Sequence, residues 1–148
     1  MPIFGSQKDP ENFDHYKKMI EEIITDWDLD PEMLYNPEIK SWSLVQGSAD
    51  FFITLFTVDN IDFFEVAASI VKRPDDDADQ LPFFEKLLEL NDFYIGVKLS
   101  IKDNQIWLLG QRECEGMDKQ EARNMIDNVR LIADDIDDKL MEEFGVKK

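Results

Sequence analysis

Residues 81–112 read LPFFEKLLELNDFYIGVKLSIKDNQIWLLGQR, and a change of period inside this stretch decides the fold class. Leu81, Phe84, Leu87, Leu88 and Asn91 recur every three or four residues, as on one face of a helix, and Pro82 falls near its first turn. From Phe93 the period drops to two: Phe93, Ile95, Val97, Leu99 and Ile101 alternate with Tyr94, Gly96, Lys98 and Ser100. Asp103-Asn104 is a turn signal, Gln105 to Arg112 is the returning strand, and Glu115-Gly116 closes it. A helix running into an antiparallel hairpin predicts the α+β class.

The same periods extend in both directions. Residues 41–46, 51–58 and 61–72 read as three strands joined by the turns Gly47-Ser48 and Asp59-Asn60, an antiparallel meander. Before them, Phe13, Tyr16, Met19, Ile20, Ile23, Ile24 and Trp27 share one face of a helix that ends at Leu29-Asp30-Pro31. Residues 1–12 hold glycine, serine and two prolines without a pattern and are expected to be a flexible leader. Arg73 to Asp79, with four aspartates, is expected to be a loop. The last helix starts after Asp118, an N-cap with Glu121 three residues on, and runs to Phe144, where Gly145 stops it. The predicted order is α-β-β-β-α-β-β-α, a five-stranded antiparallel sheet with helices packed on it. Residues 13–148 make a single domain without repeats.

Composition excludes several functions. The 148 residues carry 33 acidic and 16 basic side chains, a net charge of −17, shared about equally between the two halves. That field repels phosphate backbones and anionic lipid, so no nucleic-acid partner is expected. It suits solubility and the capture of basic or aggregation-prone protein segments. A hydrophobic content of 43% supports a real core, and no apolar run is long enough for membrane insertion. The single Cys114 leaves no internal disulfide, and the first residues lack the pattern of a secretory signal, so a cytoplasmic protein is expected.

Phe83-Phe84-Glu85-Lys86-Leu87-Leu88-Glu89-Leu90-Asn91, followed by the hairpin and the long closing helix, resembles the type III secretion chaperone-like fold over roughly residues 13–144. Two groups share that fold: the secretion chaperones and the YbjN-type family, described as bacterial sensory transduction regulators. The leader and the aspartate-rich loop bring the chain nearer the YbjN type. The resemblance implies a commonly dimeric domain without catalytic residues. In the secretion chaperones, apolar patches around the first helix and the sheet hold an unfolded segment of a cargo protein.

The residues themselves offer little catalytic chemistry. His15 and Cys114 are the only histidine and cysteine, about a hundred positions apart, so neither a Cys-His pair nor the usual zinc set is expected. Asp75, Asp77 and Asp79 begin like a calcium loop, but Gln80 stands where glycine is needed and Lys86 where a bidentate glutamate is needed. Asp134-Asp135-Ile136-Asp137-Asp138 spells a magnesium motif of prenyl-diphosphate enzymes, but the chain is too short and strand-rich for that fold. A solvated face around Ile136 is the reading, and no cofactor is expected. A carboxylate-metal enzyme is the alternative from another class.

The strands point elsewhere. A sheet covered on one side should alternate, yet residues 51–58 are apolar on both faces, Phe63 opposes the better face of its strand, and Trp107 and Leu109 oppose Ile106 and Leu108. Three covers are open for the second face: helices on both sides, a twin subunit in a homodimer, or a segment of another protein. Trp42, Phe51, Phe63 and Trp107 are the candidates for that partner-binding surface, and Tyr16 and Trp27 belong to core or groove. The expected function is a chaperone-like or regulatory, non-enzymatic protein-binding domain, the alternative being a signalling regulator of a folded partner.

Overall fold

The computed structural model describes residues 12–46 and 49–148. The expected leader, apart from Asn12, and the turn Gly47-Ser48 lie outside the described residues. Helix α1 (Phe13–Asp26) buries Tyr16, Ile20, Ile23 and Ile24. It stops before the proline because Asp28 takes a left-handed φ of 60°. Asp30 then accepts the amide of Glu32 and Pro31 fills the first position of a short helix, α2 (Pro31–Leu34). Strand β1 (Tyr35–Asn36) follows.

Strands β2 (Ser41–Gln46), β3 (Ala49–Val58) and β4 (Ile61–Lys72) form the expected meander. Helix α3 (Asp77–Phe93) leads to β5 (Lys98–Lys102) and β6 (Gln105–Glu113), and α4 (Lys119–Phe144) closes the domain. Among the described residues, the hairpin turns Asp59-Asn60 and Asp103-Asn104 have positive φ at each position: 50° and 64° in the first, 51° and 67° in the second. Those values match the primed turn whose twist suits paired strands. The sheet order is β1-β2-β3-β4-β6-β5, antiparallel throughout. The connection through α3 therefore carries the chain from central β4 to the edge at β5, and β6 returns to pair with β4.

Four expectations need correction. The sheet has six strands, not five, and α2 adds a fourth helix. Both additions are a turn or less long, too short to leave a period. The aspartate-rich segment is the start of α3: Asp76 caps it by accepting the amide of Ala78, and Asp77 and Asp79 sit in the first turn. Negative charge is favourable there, because unpaired amides give the helix end partial positive charge. That same helix runs on through Phe93, so β5 begins at Lys98. Val97, Leu99 and the other alternating residues straddle helix end, turn and strand.

Among the described residues, the helix-packed burial lies on one face of the sheet. The main core joins Ile20, Ile23 and Ile24 of α1, Phe83 of α3, and Ile126, Val129, Ile136 and Leu140 of α4 to strand residues of one parity, among them Ile53, Leu55, Phe64, Val66, Ile106 and Leu108. A register shift between Ser69 and Lys72 lets both Ile70 and Val71 turn inward. The α4 N-terminus has the predicted capping box between Asp118 and Glu121, and Gly145 ends the helix at a left-handed φ of 64°.

Candidate protein-binding surface

Strand register defines the opposite face row by row. Phe52 on β3 pairs with Ala67 on β4, which pairs with Leu109 on β6, and Trp107 lies one row away opposite Ser69. Ala67 has no bulk, so the Phe52 and Trp107 rings approach across it to 5.9 Å between centroids. The next row is polar: Ser41, Thr54, Glu65 and Gln111. Beyond it Phe56 faces Phe63, stacked at 5.7 Å, and Val58 faces Ile61. Phe56, Ala67 and Leu109 are buried yet stand outside the helix-packed core. Phe52, Phe63, Trp107 and Val58 are half-buried and Ile61 is 42% exposed.

The polar row is internally satisfied. The Ser41 hydroxyl is 2.9 Å from that of Thr54 and donates to the Ile53 carbonyl at 3.1 Å. Gln111 donates to the Glu65 carboxylate at 2.5 Å. Glu65 is 0% exposed although no described helix packs on its row. The face therefore has two apolar bands separated by a hydrogen-bonded polar one.

Of the residues expected on this face, the structure places two there. Phe63 and Trp107 lie on it. Trp42 and Phe51 do not: Trp42 pairs with Ile53 and Phe51 with Leu44, which puts both in the helix-covered rows at 0% and 1% exposure. Tyr16 is buried at 8%, and Trp27 packs half-buried at the core margin. Phe52 and Phe56, not singled out from sequence, carry the face instead. Their signal was parity: Phe51, Ile53 and Leu55 share one side, so Phe52 and Phe56 had to take the other. Among the described residues no helix packs on this face, in contrast to the cover of helices on both sides considered from sequence.

A second apolar patch was not anticipated. Leu81 and Leu88 on α3 are 67% and 69% exposed, with Phe93 at 70% and Ile95 at 89% in the segment entering β5. It borders the sheet edge at β5. There Asn91, the last residue of the quoted leucine-rich helix, accepts the Leu99 amide through its side chain at 2.6 Å.

At the end of the open face lies a cleft of about 300 Å³, lined by Asn12, Tyr16, Asn60, Asp62, Glu113 and Glu115 beside Ile61. Burial raises the Tyr16 hydroxyl above its usual value, with Cys114, Asp62 and Glu115 adding to the effect. Cys114 itself is pushed up to about 12 by burial, with Asp62 adding and Arg112 opposing. Asp75, Asp77 and Asp79 are exposed at the α3 start, as are Asp134 and Asp138 on α4. Among the described residues no three of His, Cys, Asp or Glu converge closely enough to hold a metal ion. No described helix is long and apolar enough to cross a membrane.

No protein-family model matches the chain, and no curated protein matches it. Solved structures do. The ExsC-ExsE complex contains a chain similar at TM-score 0.66 and 12% identity, over 84% of this chain and 92% of that one. The HopA1-SchA chaperone-effector complex gives 0.62 and 9%, over 83% and 93%. YbjN from E. coli gives 0.57 and 13%, over 88% and 94%. At such identities the likeness concerns architecture: the chain has the α+β fold of type III secretion chaperones and of YbjN.

Proposed function

We propose that this chain is a non-enzymatic, chaperone-like protein-binding domain of the cytoplasm that holds a segment of another protein on the open face of its sheet. One observation carries the reading: the described helices pack on one side and leave Phe52, Phe63 and Trp107 half-buried on the other. Several large side chains in one surface mark an interaction site. The likeness to the chain of a chaperone-effector complex supports it. The polar row has a use in this reading. It spaces the two apolar bands, which take the segment's side chains at alternate positions.

The domain works as a homodimer, joined through the α3 and β5 edge. Leu88, Phe93 and Ile95 supply the apolar area, and β5 ends the sheet. Light scattering tests this division of labour. The wild type is expected at twice the chain mass, and Leu88→Glu with Ile95→Glu is expected to give a folded monomer. Phe63→Glu with Trp107→Glu is expected to stay dimeric but to lose a co-expressed, genomically adjacent client from the soluble fraction. A client that stays soluble with that double variant removes the sheet face from the reading. A partner that is folded alone and equally soluble with or without this chain would favour a signalling regulator.

A further inference from the structure

The chain enters the described structure at one end of the open face. Asn12 lines the same cleft as Ile61 and Glu113, and register places Ile61 opposite Val58 and Glu113 opposite Phe63. The eleven residues before Asn12 read MPIFGSQKDPE. An extended chain rises about 3.3 Å per residue, so these eleven reach about 36 Å. Along β4 the open face runs from Ile61 to Ser69, eight steps or about 26 Å. The segment is therefore long enough to cross both apolar bands and the polar row between them.

Its pattern also repeats the pattern of the face. Two extended chains advance alike, so each step back from Asn12 matches one step along β4 from Ile61. Pro10 then falls at the row of Phe63 and Phe56, and Lys8 at the row of Glu65 and Gln111. Ser6 falls at Ala67, and Phe4 at Ser69 beside Trp107. The intervening Glu11, Asp9, Gln7 and Gly5 point the other way, into water. Ring and apolar groups thus meet the two bands, and a cation meets the buried carboxylate, where pairing stabilises charge. The face carries burial to match: Phe56, Glu65, Ala67 and Leu109 are buried, yet none belongs to the core that the described helices cover.

We infer that residues 1–11 are an internal occupant of the open face, lying extended along β4 with Phe4, Lys8 and Pro10 against it, and that a client displaces them. The docking stands on reach and matched pattern. The displacement rests on the protein-binding reading above, and it makes the segment a built-in competitor that only a better-matched polypeptide replaces.

A nitroxide label on the full chain tests the docking without any client. Gln7→Cys places it on the water side of the segment, and Cys114, fully buried, is not modified in the folded protein. The amides of Phe52, Ala67 and Leu109 are expected to lose most of their signal, while those of Ile126 and Val129 under the helices keep theirs. Adding Phe4→Asp and Lys8→Glu to the labelled chain should restore the lost signals. The synthetic peptide MPIFGSQKDPE then stands in for a client. It is expected to bind the Phe4→Asp, Lys8→Glu chain about two- to tenfold more tightly than the wild type, whose own segment competes. Signal lost evenly over the surface overturns the docking. So does loss in an unlabelled chain mixed with a labelled one, which would assign the segment to a neighbouring copy. Equal peptide affinity for the two chains overturns the displacement. A docked segment beside a client indifferent to Phe63→Glu and Trp107→Glu would remove the client reading alone.

Discussion

Gly110 stands where β6 passes under α4, and the space above it is already taken. A Cβ there would lie 2.8 Å from a Val129 methyl and 3.2 Å from Met125 Cγ. Val129 is fully buried and β-branched, so its methyl has nowhere to turn. Gly110→Ala is therefore expected to destabilise the domain by about 1–3 kcal/mol, read as a lower urea midpoint at unchanged slope. Cys114 makes a prediction of a different kind. Its proton is held up to about 12 in the folded state, against 9.0 for a free thiol. The unfolded chain loses that proton first, so the contribution to stability is intact below pH 9 and declines as pH climbs towards 12. At neutral pH a thiol reagent should leave Cys114 untouched until the protein unfolds. Rapid labelling of the native protein would contradict its burial.

At the scale of elements, the Asn91 contact with Leu99 explains why the leucine-rich helix ends in that residue. The β5 edge is free on one side, and the Asn91 side chain occupies the Leu99 amide that faces away from β6. Asn91→Ala is expected to cost about 1–2 kcal/mol and to speed hydrogen exchange at Leu99 ahead of its neighbours. Uniform exchange along β5 in that variant would deny the contact its role. Elements with a long period were legible from sequence: β2 and β4 match their expected limits, and so does the capping box at Asp118. What escaped was set by local or tertiary chemistry. The aspartates of α3 repel as a run but cap as a helix start, and β1 exists because Tyr35 finds Trp42. The site was half legible for the same reason. Parity separated Phe52 from Phe51, but aromatic size alone does not say which parity the helices cover.

For the whole molecule, the proposed protein-binding role makes charge the term that governs how a partner would arrive. A field from −17 charges accelerates the approach of a basic segment and is screened by salt. Raising salt from about 0.1 M to 1 M shortens the screening length from roughly 10 Å to 3 Å. The association rate with a client is expected to fall about tenfold or more over that range, while the dissociation rate, set by the apolar bands, changes little. A flat association rate in stopped-flow mixing would leave the acidic surface to solubility alone. The strand order carries a consequence for how the chain acquires its shape. The hairpins β3-β4 and β5-β6 are local, each closed by an Asp-Asn turn, and form on the microsecond scale. Joining them requires β4 to meet β6 across the length of α3, and closing that loop is the slow step. During synthesis β4 therefore keeps an unpaired margin until β6 has left the ribosome, which makes that interval the time at which this sheet is most open to pairing with a wrong strand.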